Sequence, residues 1–295
     1  MDIDRIAIIG AGSLGSLIGG LLSATHAVTL VGRDPHMRTV ADDGLQITGT
    51  ADRRVHPETR TTIAGLTADL AIVTVKTYDT ATVAAALCDA DVGVVLTVQN
   101  GIANAATLRE HLSVPVLTGT TTMGATLRAP GRVAWLGTGA IHLGPADAPE
   151  AAAVASTLAG AGIETHLIDD VQRMLWRKLA INVGINPLTA VADVPNGMLR
   201  ERPLWSVASA ATAEAVRVAR TAGVRLERAA TQRALWAVLE RTAGNTSSMR
   251  ADVRAGRRTE ADAITGQLLR VAAASDTPVP VTRTLDAAVR RRTSA

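Results

Sequence analysis

Near its beginning the chain carries an apolar run, Arg5 to Ile9, that breaks into Gly10-Ala11-Gly12-Ser13-Leu14-Gly15 and continues through small and aliphatic residues to Ser23. This order constrains the fold more than any other feature. It reads as a short buried strand, a tight turn and a helix. Each glycine has a task in such a turn. Gly10 permits the reversal, Gly12 lets backbone approach a pyrophosphate, and Gly15 lets the helix pack close to the strand. The free amides and dipole at the helix start favour bound phosphate.

The same alternation continues. Ala27 to Val31 reads as a second strand, closed by Gly32-Arg33-Asp34-Pro35, and Ile47 to Thr48 and Arg54 to His56 as weaker ones. Leu70 to Val75 ends in Lys76, Val92 to Val98 ends in Gln99-Asn100-Gly101, and Val114 to Leu117 precedes Gly119-Thr120-Thr121-Thr122. Strands alternating with helical stretches predict a parallel sheet with crossover helices. Past Met123, Val133 to Leu136 and Ala140 to Leu143 flank Gly137-Thr138-Gly139, which predicts an antiparallel meander. Ala151 to Ala161 reads as a helix, and Glu164 to Ile168 as a return to the sheet. From Asp169 onward strand signals vanish and long alanine- and arginine-rich stretches have helical period. The expected fold is therefore α/β: a Rossmann-type doubly wound sheet over 1–168, binding a dinucleotide, followed by an all-helical domain over 169–295 that takes the substrate.

Composition removes several classes of function. Apolar residues are 47% of the 295 and charged residues 19%, which supports a packed core and excludes a disordered chain. The net charge is +3, aromatics are 2%, and the one dense basic run is Arg290-Arg291-Arg292, so nucleic acid is not an expected partner. No apolar run reaches the roughly 18 residues of a membrane helix. The longest, Leu14 to Leu22, holds three glycines. Met1-Asp2-Ile3-Asp4 is acidic where a signal peptide is basic, and Cys88 is the single cysteine, so a cytoplasmic protein without membrane or disulfide is expected. His26, His36, His56, His111, His142 and His166 have no metal-ligand spacing; each is expected at the surface or in a turn, and no metal is expected.

Basic residues number 30, yet only Lys76 and Lys178 are lysine; the rest are arginine. Arginine does not deprotonate in practice, whereas a desolvated lysine titrates near neutral pH. The two lysines are thus candidates for work a guanidinium cannot do. Lys76 and Asn100 both end parallel-strand candidates, where a doubly wound sheet holds its ligand. Lys76 is expected on phosphate or ribose oxygen, Asn100 toward nicotinamide and substrate. At the tip of the second strand, where NAD sites place a carboxylate, the chain reads Leu30-Val31-Gly32-Arg33. A guanidinium there can pair with a 2′-phosphate, so NADP is expected over NAD, with Asp34 as the competing ribose contact.

Lys178 opens a second pattern, Lys178-Leu179-Ala180-Ile181-Asn182-Val183-Gly184-Ile185-Asn186-Pro187-Leu188-Thr189-Ala190. At about 100° per residue Lys178, Asn182 and Asn186 lie within roughly an 80° arc of one helix face. Such groups on an apolar helix are costly unless something satisfies them. Pro187 is expected to end or kink the helix just beyond.

The glycine motif, Lys76, Gln99-Asn100-Gly101, Gly119 to Thr122, Lys178 to Ala190, Pro195-Asn196-Gly197, Asn245-Thr246-Ser247-Ser248-Met249 and Arg258-Thr259-Glu260 together resemble the ketopantoate reductase (2-dehydropantoate 2-reductase) family, from residue 6 to about 275. The resemblance implies NADPH-dependent reduction of 2-dehydropantoate to (R)-pantoate, a step of pantothenate and coenzyme A synthesis. By that likeness Lys178 is the catalytic proton donor and contacts the substrate, together with Asn100, Asn182, Asn186, Asn196 and Ser248. The cofactor contacts are Gly10, Ala11, Gly12, Ser13, Leu14, Gly15, Arg33, Lys76, Asn100, Ala125 and Glu260.

Chemistry agrees with that assignment. Charge grows on the keto oxygen as hydride arrives, and a cationic lysine stabilises it and then supplies the proton. Ser248 falls near an expected helix start. Ser248 and Glu260 would stand about 18 Å apart on one straight helix. Glu260 is therefore expected at the cofactor or orienting Lys178, its competing reading being a surface salt bridge with Arg257 or Arg258. The partner is a small molecule, and a homodimer is compatible with the sequence. A related two-domain reductase of another 2-keto or 3-hydroxy acid, or a non-catalytic NADP-binding sensor, are the alternatives.

Overall fold

The computed structural model describes residues 2–293. It divides into two compact units, Met1–Gln99 with Ala103–Val171, and Asn100–Ile102 with Gln172–Ala295.

The first unit is built on β1 (Arg5–Ile9), α1 (Ser13–Leu22), β2 (Ala27–Val31), α2 (His36–Asp43), β3 (Leu45–Gly49), β4 (Arg53–Val55), β5 (Glu58–Arg60), β6 (Thr67–Val73), α3 (Thr80–Leu87), β7 (Asp91–Thr97), α4 (Asn104–His111), β8 (Val116–Thr121), β9 (Gly124–Ala129), β10 (Arg132–Gly137), β11 (Ile141–Gly144), α5 (Ala151–Gly160) and β12 (Thr165–Leu167). An eight-stranded sheet runs β12-β11-β8-β7-β6-β1-β2-β5. Every pair in it is parallel except β8 with β11. In the parallel part Arg60, Val31, Ile9, Val73, Thr97 and Thr118 stand in one row across neighbouring strands. The glycine turn, Arg33 and Lys76 all follow from that carboxyl edge.

Strand alternation sorts the core. Ile6, Ile8, Leu70, Ile72, Val94 and Leu96 face the layer that holds α1, and the smaller Ala7, Ala71, Val73 and Val95 pack on the other side with α3 and α4 residues. A second sheet, β4-β3-β10-β9, covers α1 from outside. The glycines of α1 explain how one helix serves two sheets. A Cβ on Gly19 would strike Leu30 and Ile8, and one on Gly20 would strike Ile47 and Leu45. The expected meander after Met123 does not form. β9 and β10 pair antiparallel around the Pro130-Gly131 turn in the small sheet, while β11 crosses to β8 in the large one. The Gly137-Thr138-Gly139 linker is a passage between sheets, not a hairpin turn.

The second unit contains α6 (Val171–Ala192), α7 (Leu204–Thr221), α8 (Arg228–Arg241), α9 (Ser248–Arg254), α10 (Thr265–Ala274) and α11 (Pro280–Thr293), with short 3-10 turns at Asn196–Arg200 and Ala261–Ala263. Its core gathers Trp176, Leu179, Val183, Leu188, Val216, Leu235, Leu268 and Val289. Of the end or kink expected at Pro187, the end does not occur: α6 runs on to Ala192. Proline removes one amide donor, but Ile185, Leu188 and Ala190 around it are buried, and the Thr189 hydroxyl donates to the carbonyl oxygens of Ile185 and Asn186 at 2.8 and 3.0 Å. Burial here outweighs a local break whose cost is about 3 kcal/mol. No helix among the described residues is long and apolar enough to cross a membrane.

Candidate functional site

In the first unit the site begins at backbone. Gly10 has φ +107°, a left-handed conformation that favours glycine. Its amide and that of Ala11 both donate to the Val31 carbonyl oxygen at 2.9 Å. A Cβ on Gly10 would strike Val75, and one on Gly15 would strike the Gly10 carbonyl and the Thr74 hydroxyl. Gly12 is different: a Cβ there would meet nothing within 4 Å. α1 starts at the next residue, and its first intrahelical bond joins the Ser16 amide to the Gly12 carbonyl. The amides of Ser13, Leu14 and Gly15 precede that bond and are the ordinary anion-binding donors of a helix start. The arrangement fits a dinucleotide pyrophosphate: an exposed, uncrowded Gly12 beside a helix N-terminus, with the two flanking glycines pressed against protein. The Ser13 hydroxyl is engaged by β9, accepting from the Leu127 amide at 2.9 Å. Ala125 stands half-buried in the same strand.

Arg33 is exposed just past β2. The neighbouring Asp34, the competing ribose contact, is held at 3.1 Å by Arg38 one turn along α2. Lys76 is half-buried and introduces the 3-10 turn Thr77–Asp79 after β6. The support for that loop was not foreseen. Gln99 is buried and donates to the Val75 carbonyl at 2.9 Å and the Thr80 hydroxyl at 2.8 Å, while accepting from Thr97 at 2.9 Å. Thr80 in turn donates to Asn104 at 3.0 Å. The signal available was Gln99, the first of two amides directly after an apolar strand.

His36 is likewise no surface residue. It is 6% exposed, at the start of α2. Nδ1 accepts from the Gly131 amide at 2.9 Å, so the proton is on Nε2, which donates to Ser16 at 2.9 Å. Burial pushes its pKa below the usual histidine value. It ties α1 to the β9–β10 turn, a long-range pairing that spacing along the chain does not reveal. No group of His, Cys, Asp and Glu able to hold a metal ion occurs among the described residues.

In the second unit the site is made of side chains. Lys178, Asn182 and Asn186 share one face of α6; the first two are half-buried and Asn186 is 7% exposed. Desolvation pushes the Lys178 ammonium down to about 8, and the negative charge of Glu260 works against that fall. Glu260 is buried and its Oε2 accepts from Asn100 Nδ2 at 3.1 Å. Asn100 thus belongs with the helical unit even though it follows β7. Glu260 is not exposed at the surface, at 7%, while Arg257 pairs with Asp252 at 3.0 Å and Arg258 with Asp262 at 3.6 Å. α9 ends at Arg254, so Ser248 and Glu260 do not lie on one straight helix. Ser248 is the exposed first residue of α9, and the cap is Ser247, whose hydroxyl accepts from the Arg250 amide at 3.1 Å. Asn196 is buried in its 3-10 turn. It donates to Thr242 at 3.0 Å, while its side-chain oxygen has no partner. The structure thus joins Lys178, Glu260 and Asn100 electrostatically and aligns the two amides with the lysine.

Comparison with known proteins accounts for the arrangement. Residues 6–148 match the family model described as ketopantoate reductase PanE/ApbA, and 170–293 its C-terminal counterpart. A 2-dehydropantoate 2-reductase of Halobacterium salinarum is 43% identical, covering 97% of this chain and 98% of that one. The crystal structure of a PanE/ApbA family ketopantoate reductase from Ralstonia eutropha superposes with TM-score 0.90 at 32% identity, covering 98% of both chains. The ternary structure of D-mandelate dehydrogenase with NADH and anilino(oxo)acetate shares the fold, with TM-score 0.92 at 23% identity and 98% of both chains covered. With both halves matched in order and relatives aligned end to end, the chain belongs to the ketopantoate reductase family, a family of oxidoreductases.

Proposed function

We propose that the protein reduces 2-dehydropantoate to (R)-pantoate with NADPH, in pantothenate and coenzyme A synthesis in the cytoplasm. The first unit serves as the NADP-binding domain and the helical unit as the substrate domain. The observation that carries this reading is the Lys178 ammonium, held near pH 8 on the same helix face as two neutral amides and within the field of buried Glu260. A group with that pKa is protonated at neutral pH yet acidic enough to give up its proton, as a general acid requires.

Gly10 to Gly15 bind the pyrophosphate through backbone amides, and Lys76 and Ala125 line the dinucleotide. The exposed Arg33 guanidinium just past the strand tip takes the adenosine 2′-phosphate, and the Asp34 carboxylate beside it pairs with Arg38. The bound reduced nicotinamide supplies the hydride. Asn182, Asn186, Asn196 and Ser248 hydrogen-bond the keto acid, and the unpartnered oxygen of Asn196 offers it an acceptor. Lys178 Nζ stabilises the negative charge that grows on the keto oxygen and then transfers its proton there. Glu260 keeps the lysine cationic and holds Asn100 toward the cofactor and substrate.

A spectrophotometric assay of NADPH and NADH oxidation with ketopantoate and a panel of other 2-oxo acids tests this. Ketopantoate with NADPH should give the highest kcat/KM. A higher value with another 2-oxo acid replaces the substrate assigned here, and a higher value with NADH replaces the cofactor.

A further inference from the structure

The polar stripe of α6 does not end at Asn186. Thr189 falls about 20° from Lys178 around the helix axis, within the same arc. Just past the helix, Asp193 has φ +54°. Both bond to α9. The Thr189 hydroxyl lies 2.8 and 3.0 Å from the carbonyls of Ile185 and Asn186, and it shares a hydrogen bond with the Ser247 hydroxyl at 2.7 Å, in which either oxygen can donate. Thr189 is fully buried and Ser247 is 6% exposed. One turn further along α9 the guanidinium of buried Arg250 donates through Nε to the Asp193 carboxylate and through Nη2 to its carbonyl, both at 2.9 Å. Arg254 adds two more bonds to that carboxylate, at 2.7 and 3.1 Å.

Seven residues are too few for a helix to hold its shape or place by itself. The place of α9 is set by tertiary bonds, and these converge on the end of the helix that carries Lys178. Burying a guanidinium is costly unless it is paired and hydrogen-bonded, so the Arg250–Asp193 pair locks one register of α9 on α6. The path from the substrate amide to Ser248 is short: Asn186 carbonyl to Thr189 hydroxyl, Thr189 to Ser247, and Ser247 to its chain neighbour.

We propose that Thr189 and Ser247, backed by Asp193 and Arg250, are positioning residues for the reductase reaction: they clasp α9 to α6 and thereby set the Ser248 hydroxyl relative to Asn186 for binding the 2-oxo acid. The inference rests on the assignment of Ser248 to the substrate. It touches neither cofactor nor proton transfer, so its signature is a rise in KM for the keto acid with turnover retained.

The experiment compares Thr189→Val, Thr189→Ser, Asp193→Asn and Ser248→Ala in the full chain with ketopantoate and NADPH. Thr189→Val keeps shape and removes the hydroxyl; KM for ketopantoate should rise about 10-fold while kcat stays within about 3-fold and NADPH affinity is unchanged. Thr189→Ser restores the bond and should bring KM back to within about 2-fold of the parent. Asp193→Asn, which keeps an oxygen for Arg250, should raise KM about 3-fold and stands in should Thr189→Val fail to fold. Ser248→Ala separates the two ideas. If it raises KM and the clasp variants do not, the clasp is wrong and the substrate role of Ser248 survives. If Ser248→Ala leaves KM unchanged, the substrate role falls, and the proposal with it. A Thr189→Val protein that loses thermal stability at unchanged KM also overturns the proposal, because the bond is then merely structural.

Discussion

The two units build their candidate sites from different material. At the glycine turn of the α/β unit the donors are backbone amides, and side chains are kept out: Gly10 and Gly15 have no room for a Cβ, and Gly12 has room that nothing in the protein fills. In the helical unit the donors are side chains, Lys178, Asn182 and Asn186 on one face, with Glu260 and Asn100 joined by a hydrogen bond. The contrast teaches that a pyrophosphate, which every dinucleotide shares, can be met by a turn of fixed shape. A particular oxo acid needs side chains whose charge and placement are tuned. The first kind of site is broken by adding atoms and the second by removing them.

The largest effect expected is on the side-chain site. Lys178→Ala should lower turnover with ketopantoate by at least about 10²-fold, the usual loss for a general acid, while NADPH still binds. Steady-state kinetics together with a fluorescence titration of NADPH check it, and parental turnover would remove Lys178 from the chemistry. Next comes Gly12→Val. The Cβ it adds meets no protein atom within 4 Å, so thermal stability should hold, while NADPH affinity should fall by about 10-fold or more, as backbone can no longer approach the pyrophosphate. Unchanged affinity would place the phosphates elsewhere. Arg33→Asp should weaken NADPH about 10-fold and NADH by much less, the loss of a charge-assisted contact to a 2′-phosphate; equal losses would dismiss that contact.

The smallest effect is a shift in pH. If Lys178 is the proton donor proposed above, its protonated form is the active one, and kcat/KM should be flat below and fall as pH rises through about 8. Glu260→Gln removes the charge that holds this pKa up, so the falling limb should move to lower pH while the acceptor for Asn100 is kept. A limb that stays in place would show that Glu260 does not act on the lysine.

Much of this was legible in the residues, and the exceptions have physical causes. The glycine turn was readable because the backbone conformation at Gly10 and the packing at Gly15 permit almost no other residue, so the demand is written locally. The lysine and its amides were readable because a helix repeats its face every three to four residues. The passage of β11 into the large sheet was not, since β10 and β11 both look like strands and pairing is a long-range choice. At Pro187 the local rule allows an end or a kink, and burial of its neighbours carries the helix through without an end. His36 and Gln99 were missed because their partners lie 95 and 24 residues away.

What the sequence determined by itself was therefore whatever depends on neighbours along the chain: strand, turn and helix order, the glycine turn, and the stripe of Lys178, Asn182 and Asn186. Only the tertiary structure decided which carboxylate stands in the field of that lysine, where the seven residues of α9 sit, and that α1 is covered by a second sheet. Those outcomes turn on burial and on bonds between distant residues, whose free energies exist only once the chain has closed on itself.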